Sequence, residues 1–179
     1  CLGIVDHVKK AGVTFMPEYV RMTAPAGGVA ITSQSGALGY ALMQAAERGF
    51  SVCHMTTAGN ATDLDVCDLA AYQLSMPECR AVALAVEGLH DGRRLLLLGD
   101  AARAAGKPII ALKLGRGAAG AAAAASHTGS LAGSALAWSA AFRRAGMVEV
   151  EDYDALLETA ALFAKTGRPS APGVAIVTA

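Results

Sequence analysis

Short apolar runs alternate with longer alanine-rich stretches along the chain, and this alternation predicts its secondary structure. Apolar runs of about four to eight residues are typical of parallel strands buried on both faces, whereas the longer stretches are typical of connecting helices. The predicted strands are Gly28–Ser33, Ser51–Thr56, Ala81–Val86, Pro108–Leu112 and Met147–Val150. The predicted helices are Gly36–Arg48, Asp63–Leu74, Gly92–Ala105, Gly129–Ala145 and Asp152–Lys165. Successive βα units of this kind predict an α/β domain, with a parallel sheet between two layers of helices.

Glycine and proline positions indicate where this domain begins and ends. Four glycines each follow a predicted helix, where a left-handed residue commonly ends it, and they are Gly49, Gly106, Gly146 and Gly167. We therefore expect the domain to extend over residues 27–167. Residues 1–26 contain prolines and no sustained period, so we interpret them as the tail of a preceding domain and a linker. Residues 168–179 are interpreted as a second linker and a truncated strand, and with Cys at position 1 they favour a longer parent protein.

Composition and charge exclude several classes of protein. The 179 residues include 15 basic and 15 acidic side chains and no long basic run, so the chain lacks the positive field of a nucleic-acid-binding protein. Hydrophobic residues make up 54%, but many are alanine, and no strongly apolar stretch reaches the roughly 18 residues of a membrane span. The 4 cysteines form no CxxC pair and no signal peptide opens the chain, so we expect a protein of the reducing cytoplasm.

The first candidate for chemistry is the turn at which the first predicted strand meets the first predicted helix. Its sequence is Thr32-Ser33-Gln34-Ser35-Gly36. In a parallel α/β sheet the strand carboxyl ends and the helix amino ends share one edge, where free N–H groups attract an anion such as phosphate. Ser33 or Ser35 would serve equally well as a helix cap, so both roles stay open. A further interpretation, Ser35 as the nucleophile of an α/β-hydrolase elbow, lacks the flanking glycines of the G-x-S-x-G motif.

Two other patterns have weaker support. A G-x-G-x-x-G sequence at residues 115–120 follows a predicted strand, but no acidic residue stands about 20 positions further on, where a dinucleotide site needs one. Three aspartates near the second predicted helix could ligate a metal, and they are Asp63, Asp65 and Asp68. We favour the alternative that they form an acidic first helical turn capped by Asn60 or Thr62, because carboxylates stabilise helix amino ends. No metal site is predicted.

The strongest candidate is the sequence SHTGS at residues 126–130, between a glycine- and alanine-rich tract and a predicted helix. The amino end of a helix disfavours an imidazolium and stabilises a negatively charged adduct, so His127 there suits a nucleophile that becomes a phosphohistidine. Such a histidine needs a carboxylate to orient its other ring nitrogen, and Glu87 follows a predicted strand at the same sheet edge. A lone histidine in a Gly/Ser turn is also a common cap or surface residue, so residue types alone leave its role open.

Five segments of the chain resemble a known family, and this resemblance decides between the interpretations above. In chain order they are GGVAITSQSGALGYAL, GNATDLDVCDLAAYQ, VALAVEGLHDGRR, KPIIALKLGRGAAG and SHTGSLAG. In these segments and in their order the chain resembles NDP-forming acyl-CoA synthetases, which are relatives of the succinyl-CoA synthetase α subunit and include ADP-forming acetyl-CoA synthetases. The resemblance implies that residues 27–167 form a flavodoxin-like domain. It also implies that residues 1–26 end a CoA-binding domain and that residues 168–179 lead into another α/β domain.

The resemblance implies a role for each candidate residue. His127 matches the histidine that carries phosphate between an acyl-phosphate site and a nucleotide, and Glu87 matches the carboxylate that orients this histidine. The other matching residues are expected around the phosphate, and they are Ser33, Gln34, Ser35, Gly36, Gly59, Asn60, Thr128 and Gly129. The tract at residues 115–125 would be the flexible stem that lets His127 travel between its two sites.

The reaction implied by the resemblance interconverts acyl-CoA, ADP and phosphate with acid, CoA and ATP. Coenzyme A, ADP or ATP, and Mg²⁺ are the cofactors implied for the full enzyme, and none is expected to bind this chain tightly. The implied partners are the preceding CoA-binding domain and an ATP-grasp domain or β subunit, in a homo- or hetero-oligomer, with no nucleic acid and no membrane. We expect the chain alone to be inactive as a ligase.

Two other functions stay open. Some protein lysine acetyltransferases contain a synthetase-like regulatory region, although that region often lacks the phosphorylated histidine. A flavodoxin-like domain that binds a ligand such as flavin would need only the fold. The presence of both His127 and Glu87 favours the ligase over either alternative.

Overall fold

The strands and helices follow the predicted alternation. The computed structural model describes residues 2–20, 27–117, 134–167 and 173. In chain order its elements are β1 (Gly3–Asp6), β2 (Ala11–Thr14), α1 (Pro17–Val20), β3 (Gly28–Ser33), α2 (Gly36–Met43), a 3-10 helix (Gln44–Arg48), β4 (Val52–Thr57), α3 (Val66–Ser75), β5 (Cys79–Val86), α4 (Arg93–Ala105), β6 (Ile109–Lys113), α5 (Ala135–Ala145), β7 (Val148–Val150) and α6 (Tyr153–Thr166).

The parallel part of the sheet has the strand order of a flavodoxin-like fold. Across the sheet the strands lie in the order β2-β1-β4-β3-β5-β6-β7, and β3 to β7 pair in parallel. The first parallel strand, β3, therefore lies between the second and the third, β4 and β5. The direction in which the chain crosses the sheet reverses here. In such folds ligands bind outside the carboxyl ends of the strands at this reversal.

Helices cover both faces of the sheet because successive residues of each central strand point to opposite sides. Val29 and Ile31 belong to one buried cluster with residues of α2 and α6, whereas Ala30 belongs to the other with residues of α3, α4 and α5. The central strand β5 is buried at every position except Arg80. The predicted architecture, a largely parallel sheet between two helical layers, is confirmed.

Residues near the amino terminus join the same sheet, which the sequence analysis did not predict. β1 pairs antiparallel with β4, and β2 pairs antiparallel with β1. Leu2 and Val5 are buried, and the His7 ring nitrogen Nδ1 lies 2.8 Å from the Val52 carbonyl oxygen. Both strands have only four residues, and three of the four in β2 are exposed, so they leave no hydrophobic period to detect. Structurally, residues 2–14 continue the sheet, and their assignment to the end of a preceding domain stays a prediction.

The amino end of α3 lies later in the chain than predicted. The N-cap is Asp65, whose carboxylate accepts hydrogen bonds from the backbone N–H groups of Cys67 and Asp68 at 2.7 and 3.2 Å. The Asp68 carboxylate accepts in turn from the backbone N–H of Asp65 at 3.0 Å, which completes a capping box. The expected caps, Asn60 and Thr62, are therefore wrong, although the acidic first turn is confirmed.

Two other helix boundaries also differ from the prediction. The regular part of α2 ends at Met43, and a 3-10 turn continues it to Arg48. The helix predicted from Gly129, α5, begins at Ala135, because Ser134 has an extended backbone and its hydroxyl accepts a hydrogen bond from the Ala137 N–H at 3.1 Å. Left-handed glycines end the helices at 49, 106 and 146 as predicted.

The described cysteines are buried free thiols. Burial raises the pKa of Cys53 and Cys67 to about 12 and that of Cys79 to about 11, so all three stay protonated near neutral pH. Such thiols are poor nucleophiles, and they pack as small apolar side chains. Within the described ranges, none of the helices combines the length and the apolar character needed to cross a membrane.

Candidate functional site

Gln34 joins the two central strands where the parallel strands end. Its side-chain oxygen Oε1 accepts hydrogen bonds from the backbone N–H groups of Glu87, at 2.8 Å, and Gly88, at 3.0 Å. The backbone N–H of Gln34 donates to the Ala85 carbonyl at 2.9 Å, and its backbone carbonyl accepts from the Gly59 N–H at 3.0 Å. Because Gln34 is only 6% exposed, these bonds are shielded from water and fix Glu87 relative to the turn between β3 and α2.

The serines of this turn take structural roles. Ser35 is the N-cap of α2, and its Oγ accepts a hydrogen bond from the Leu38 N–H at 3.3 Å. The Ser33 hydroxyl donates to the Ser35 carbonyl at 2.7 Å and is fully buried. Gly36 follows as the first residue of α2. The capping interpretation is confirmed for Ser35, and contact with a phosphate stays a prediction for all four residues from Ser33 to Gly36.

The turn after β4 lies beside the turn after β3. The Ala58 N–H donates to the Ser33 carbonyl at 3.0 Å, parallel to the bond from Gly59 to Gln34. Gly59 has a φ of +60°, a left-handed conformation that favours glycine. A small crevice separates this turn from β5, and its lining residues include Gln34, Asn60, Gly88 and His90. The structure thus brings together the three predicted groups at residues 33–36, 59–60 and 87.

Lys113 is a charged residue at this edge that the sequence analysis did not single out. It ends β6 opposite Val86 in the register and is only 3% exposed. Its Nζ donates to the Leu114 carbonyl and lies 5.2 Å from the centre of the Trp138 ring, a cation–π distance. Burial lowers the pKa of Lys113, while attraction to Glu87 opposes that shift. The sequence signal for this residue is its position, since a lysine one residue beyond a predicted buried strand lies at the carboxyl edge of the sheet.

Two of the three aspartates near α3, Asp65 and Asp68, form ion pairs with one arginine. Arg94 contacts the carboxylate of Asp65 at 2.7 Å and also that of Asp68. These carboxylates therefore serve a helix cap and an ion pair that joins α3 to α4. In the part of the chain that the structure describes, no group of three or more histidine, cysteine, aspartate or glutamate side chains is placed to hold a metal ion.

The segment with the predicted nucleophile lies outside the described residues. His127, Thr128 and Gly129 all belong to residues 118–133. The chain enters this segment from the carboxyl end of β6, beside the end of β5 and Glu87, and it leaves the segment at the amino end of α5. Arg116 and Ser139, on either side of the segment, both contact Glu149 Oε1, at 3.1 and 2.9 Å. Both flanks of the predicted loop are therefore tied to β7.

Comparison of this sequence with protein families matches residues 26–163 to the family described as "Succinyl-CoA ligase like flavodoxin domain". The match covers the parallel sheet, the turns at its carboxyl edge and most of α6. The chain belongs to this family. The expected kinship with the succinyl-CoA synthetase α subunit and the flavodoxin-like fold are thereby confirmed.

Individual relatives of this succinyl-CoA ligase-like chain are ligases and synthetases. It is 39% identical to the α subunit of acetate–CoA ligase [ADP-forming] II from Pyrococcus furiosus, matching 99% of this chain and 38% of that subunit. It is 37% identical to acetate–CoA ligase [ADP-forming] from Methanocaldococcus jannaschii, matching 99% of this chain and 25% of that protein. The chain thus spans between a quarter and two fifths of the length of these relatives.

A solved structure supports the same kinship. The dinucleotide forming acetyl-coenzyme A synthetase 1 of Ca. Korarchaeum cryptofilum, in complex with phosphate and ADP, superimposes with a TM-score of 0.71 at 33% identity. The match covers 92% of this chain and 34% of that one. Because both the identity and the coverage of this chain are substantial, the similarity is one of sequence as well as of fold.

Proposed function

We propose that this chain is the phosphohistidine-bearing part of an NDP-forming acyl-CoA synthetase, which interconverts acyl-CoA, ADP and phosphate with acid, CoA and ATP. The observation that carries the proposal is the arrangement at the end of β5. Gln34 holds the backbone of Glu87 beside the capped amino end of α2, at the edge from which the segment with His127 departs. The similarity to acetate–CoA ligase subunits supports this assignment.

The proposed reaction has three balanced steps. A phosphate oxygen attacks the thioester carbonyl, the carbon–sulfur bond breaks, and CoA leaves with the proton from phosphate. A ring nitrogen of His127 then attacks phosphorus, the bond to the acyl oxygen breaks, and the acid leaves as its carboxylate. In the last step an oxygen of the ADP β-phosphate attacks the same phosphorus, the nitrogen–phosphorus bond breaks, and neutral imidazole is regenerated.

Glu87 would accept a hydrogen bond from the second ring nitrogen of His127 and hold the other nitrogen as the nucleophile. The nearby amino end of α2 would favour the negative charge of the phosphoryl group, with Ser33, Gln34, Ser35, Gly36, Gly59, Asn60, Thr128 and Gly129 as the residues around it. The buried Lys113 places a positive charge at the same edge and would limit repulsion between Glu87 and the phosphate. Mg²⁺ would bind through the nucleotide, on another part of the enzyme.

The rest of the enzyme would lie in further domains or subunits. We assign residues 27–167 to the phosphohistidine domain, in agreement with the span of the family match. A CoA-binding domain would precede it, another α/β domain would follow residues 168–179, and an ATP-grasp domain or β subunit would bind ADP or ATP. The relative from Pyrococcus furiosus is itself an α subunit, which fits a division of the activity between chains.

The test is phosphorylation of the full-length enzyme by ATP labelled on its γ-phosphate, in the presence of Mg²⁺. We expect acid-labile label on His127, no label in His127→Ala, and labelling slower by about 10²-fold in Glu87→Gln, because an oriented proton acceptor contributes about that much. His90→Ala is the matched control, since His90 is an exposed histidine near the same edge.

Label that persists in His127→Ala, or label lost in His90→Ala instead, would show that another residue carries the phosphate. An unlabelled enzyme that binds flavin would favour a simple ligand-binding domain. Tight binding of an effector without labelling would favour a regulatory domain.

A further inference from the structure

A second cavity opens at the carboxyl edge of the sheet, on the other side of the first turn of α2 from Glu87. This apolar cleft has a volume of about 360 Å³, and the described residues that line it are Leu2, Phe15, Met16, Gly36, Ala37 and Tyr40. Leu2 is fixed at this edge because its N–H donates to Thr57 Oγ1, at the end of β4, at 2.8 Å. Phe15 follows β2, which runs in the same direction as β4. The cleft and the proposed phosphate site therefore share one wall, the amino end of α2.

The lining of the apolar cleft selects against charge. Among the described residues that line it, none carries a charged side chain, and Tyr40 alone has a polar side-chain group. A second carboxylate on a substrate would gain no cation from these residues, so any water that it lost on binding them would be uncompensated. At the rim, the large apolar side chain of Phe15 is 72% exposed, so a ligand in the cleft can contact it.

The size of the apolar cleft exceeds the needs of the smallest acyl group. A volume of about 360 Å³ corresponds to roughly twelve water molecules of about 30 Å³ each, whereas acetate extends only one methyl group beyond its carboxylate. The wall towards α2 is open because Gly36 has no side chain and Ala37 has only a methyl group. A chain of several carbons, branched or aromatic, fits this space.

We propose that the apolar cleft receives the hydrocarbon chain of a monocarboxylic substrate whose reacting carbonyl lies at the amino end of α2. This inference rests on the proposed function and adds its substrate class, an apolar acyl group larger than acetyl. The acyl phosphate would then lie across the first turn of α2, with its phosphoryl group on the Glu87 side and its chain among Leu2, Phe15 and Met16.

The first experiment measures acyl-CoA formation from ATP and CoA by the full-length enzyme with acetate, propionate, butyrate, isovalerate, phenylacetate and succinate. Each methylene buried in an apolar site improves binding about fourfold, so kcat/KM should rise about fourfold per carbon from acetate to butyrate. Succinate should be the poorest acid of the series. A flat series, or a preference for succinate, would overturn the proposal.

The second experiment fills the apolar cleft. Ala37→Phe places a phenyl ring in it, and we expect the ratio of kcat/KM for butyrate to that for acetate to fall by about tenfold or more. Ala104→Phe is the matched control, because Ala104 is an exposed alanine near the carboxyl end of α4, at the opposite edge of the sheet. Its ratio should equal that of the wild type. Phe15→Ala, which removes the exposed rim, should also lower the ratio.

The outcomes separate this inference from the function on which it rests. If the enzyme neither labels His127 nor activates any acid, the proposed function fails. If His127 is labelled and acetate is activated, but Ala37→Phe behaves as Ala104→Phe does, only the inference fails. An increase in the KM for CoA alone in Ala37→Phe would assign the cleft to the CoA arm instead and would likewise overturn the inference.

Discussion

Two buried glutamines join neighbouring strands of this sheet, but their partners differ. Gln34, at the carboxyl edge, accepts hydrogen bonds from the backbone N–H groups of Glu87 and Gly88. Gln73, on α3, is fully buried and binds mainly side chains on one face of the sheet. Its partners are Thr32 Oγ1 at 2.6 Å, Ile31 O and His54 Nδ1 at 3.0 Å, and Thr56 Oγ1 at 3.2 Å.

The different partners of the two glutamines indicate different roles, one in the stability of the core and one in the proposed phosphorylation. The partners of Gln73 are core groups of β3 and β4, so its bonds fix the position of α3 and satisfy polar groups that have no access to water. The side-chain partners of Gln34 are Gly88 and Glu87, and Glu87 is the residue that we propose to orient the phosphohistidine. Removal of Gln73 should therefore lower stability most, whereas removal of Gln34 should slow phosphorylation most.

The largest expected loss of stability follows the substitution Gln73→Met. Methionine fills a similar volume but leaves two threonine hydroxyls and the His54 ring without their partner, so we expect a loss of about 2–4 kcal/mol. Hydrogen exchange of the β3 and β4 amides in the full-length protein measures this loss. The rate of labelling of His127 in the folded variant should stay within about twofold of the wild type, because the Gln73 partners lie within β3 and β4 and not in the turns that follow these strands.

Gln44→Met is the matched control for this substitution, since Gln44 is exposed on the 3-10 helix and should tolerate the change. Equal protection of the β3 and β4 amides in Gln73→Met and Gln44→Met would contradict a stabilising role of the buried amide.

A smaller loss of stability but a larger loss of chemistry should follow Gln34→Met. Two backbone N–H groups, of Glu87 and Gly88, would lose their acceptor, and we expect a loss of about 1–3 kcal/mol in protection of the β5 carboxyl end. Misplacement of a catalytic group by about 1 Å slows a reaction by as much as about 10²-fold, so labelling of His127 should slow by about 10- to 100-fold. Labelling at the wild-type rate would refute the positioning role, and Gln44→Met again provides the control.

The fold could be predicted from sequence because its central strands are buried on both faces and most of their residues are apolar. β5, with the sequence CRAVALAV, is continuous in this way, and left-handed glycines after α4 and α5 end the connecting helices. The antiparallel strands β1 and β2 could not be predicted. β1 pairs with β4 and β2 pairs with β1, and no pattern within residues 3–14 predicts either pairing.

The site could be predicted in part for a similar reason. Glu87 and Ser35 follow predicted strands, and the rule that strand carboxyl ends share one edge brings them together. The role of Gln34 could not be predicted, because its side chain bonds with residues more than fifty positions away. The helix cap at Asp65 was assigned to the wrong residue for another reason, since several polar residues in this turn have suitable side chains and only the backbone conformation selects one.

The smallest predicted effect concerns pH and the His54 partner of Gln73. The Gln73 amide donates from Nε2 to His54 Nδ1, so the neutral ring has its proton on Nε2, and burial lowers the pKa of His54 below its ordinary value of 6.5. Attraction to Asp6 opposes this shift without reversing it. A histidine whose folded pKa is lowered binds a proton more readily when unfolded. Its stability contribution is therefore present above about pH 6.5 and is lost as the pH falls below that value.

His54→Gln tests this prediction, because glutamine keeps a hydrogen-bond acceptor for Gln73 but does not titrate. Between pH 7.5 and 5.5 the wild type should lose more protection of its β3 and β4 amides than the variant does, by at most about 1.4 kcal/mol per pH unit. His90→Gln, at an exposed position of the candidate site, should lose as much protection as the wild type. If His54→Gln and the wild type lost protection in parallel, protonation of Nδ1 would not compete with the Gln73 bond. The core network would then be as insensitive to acid as the backbone bonds that Gln34 accepts.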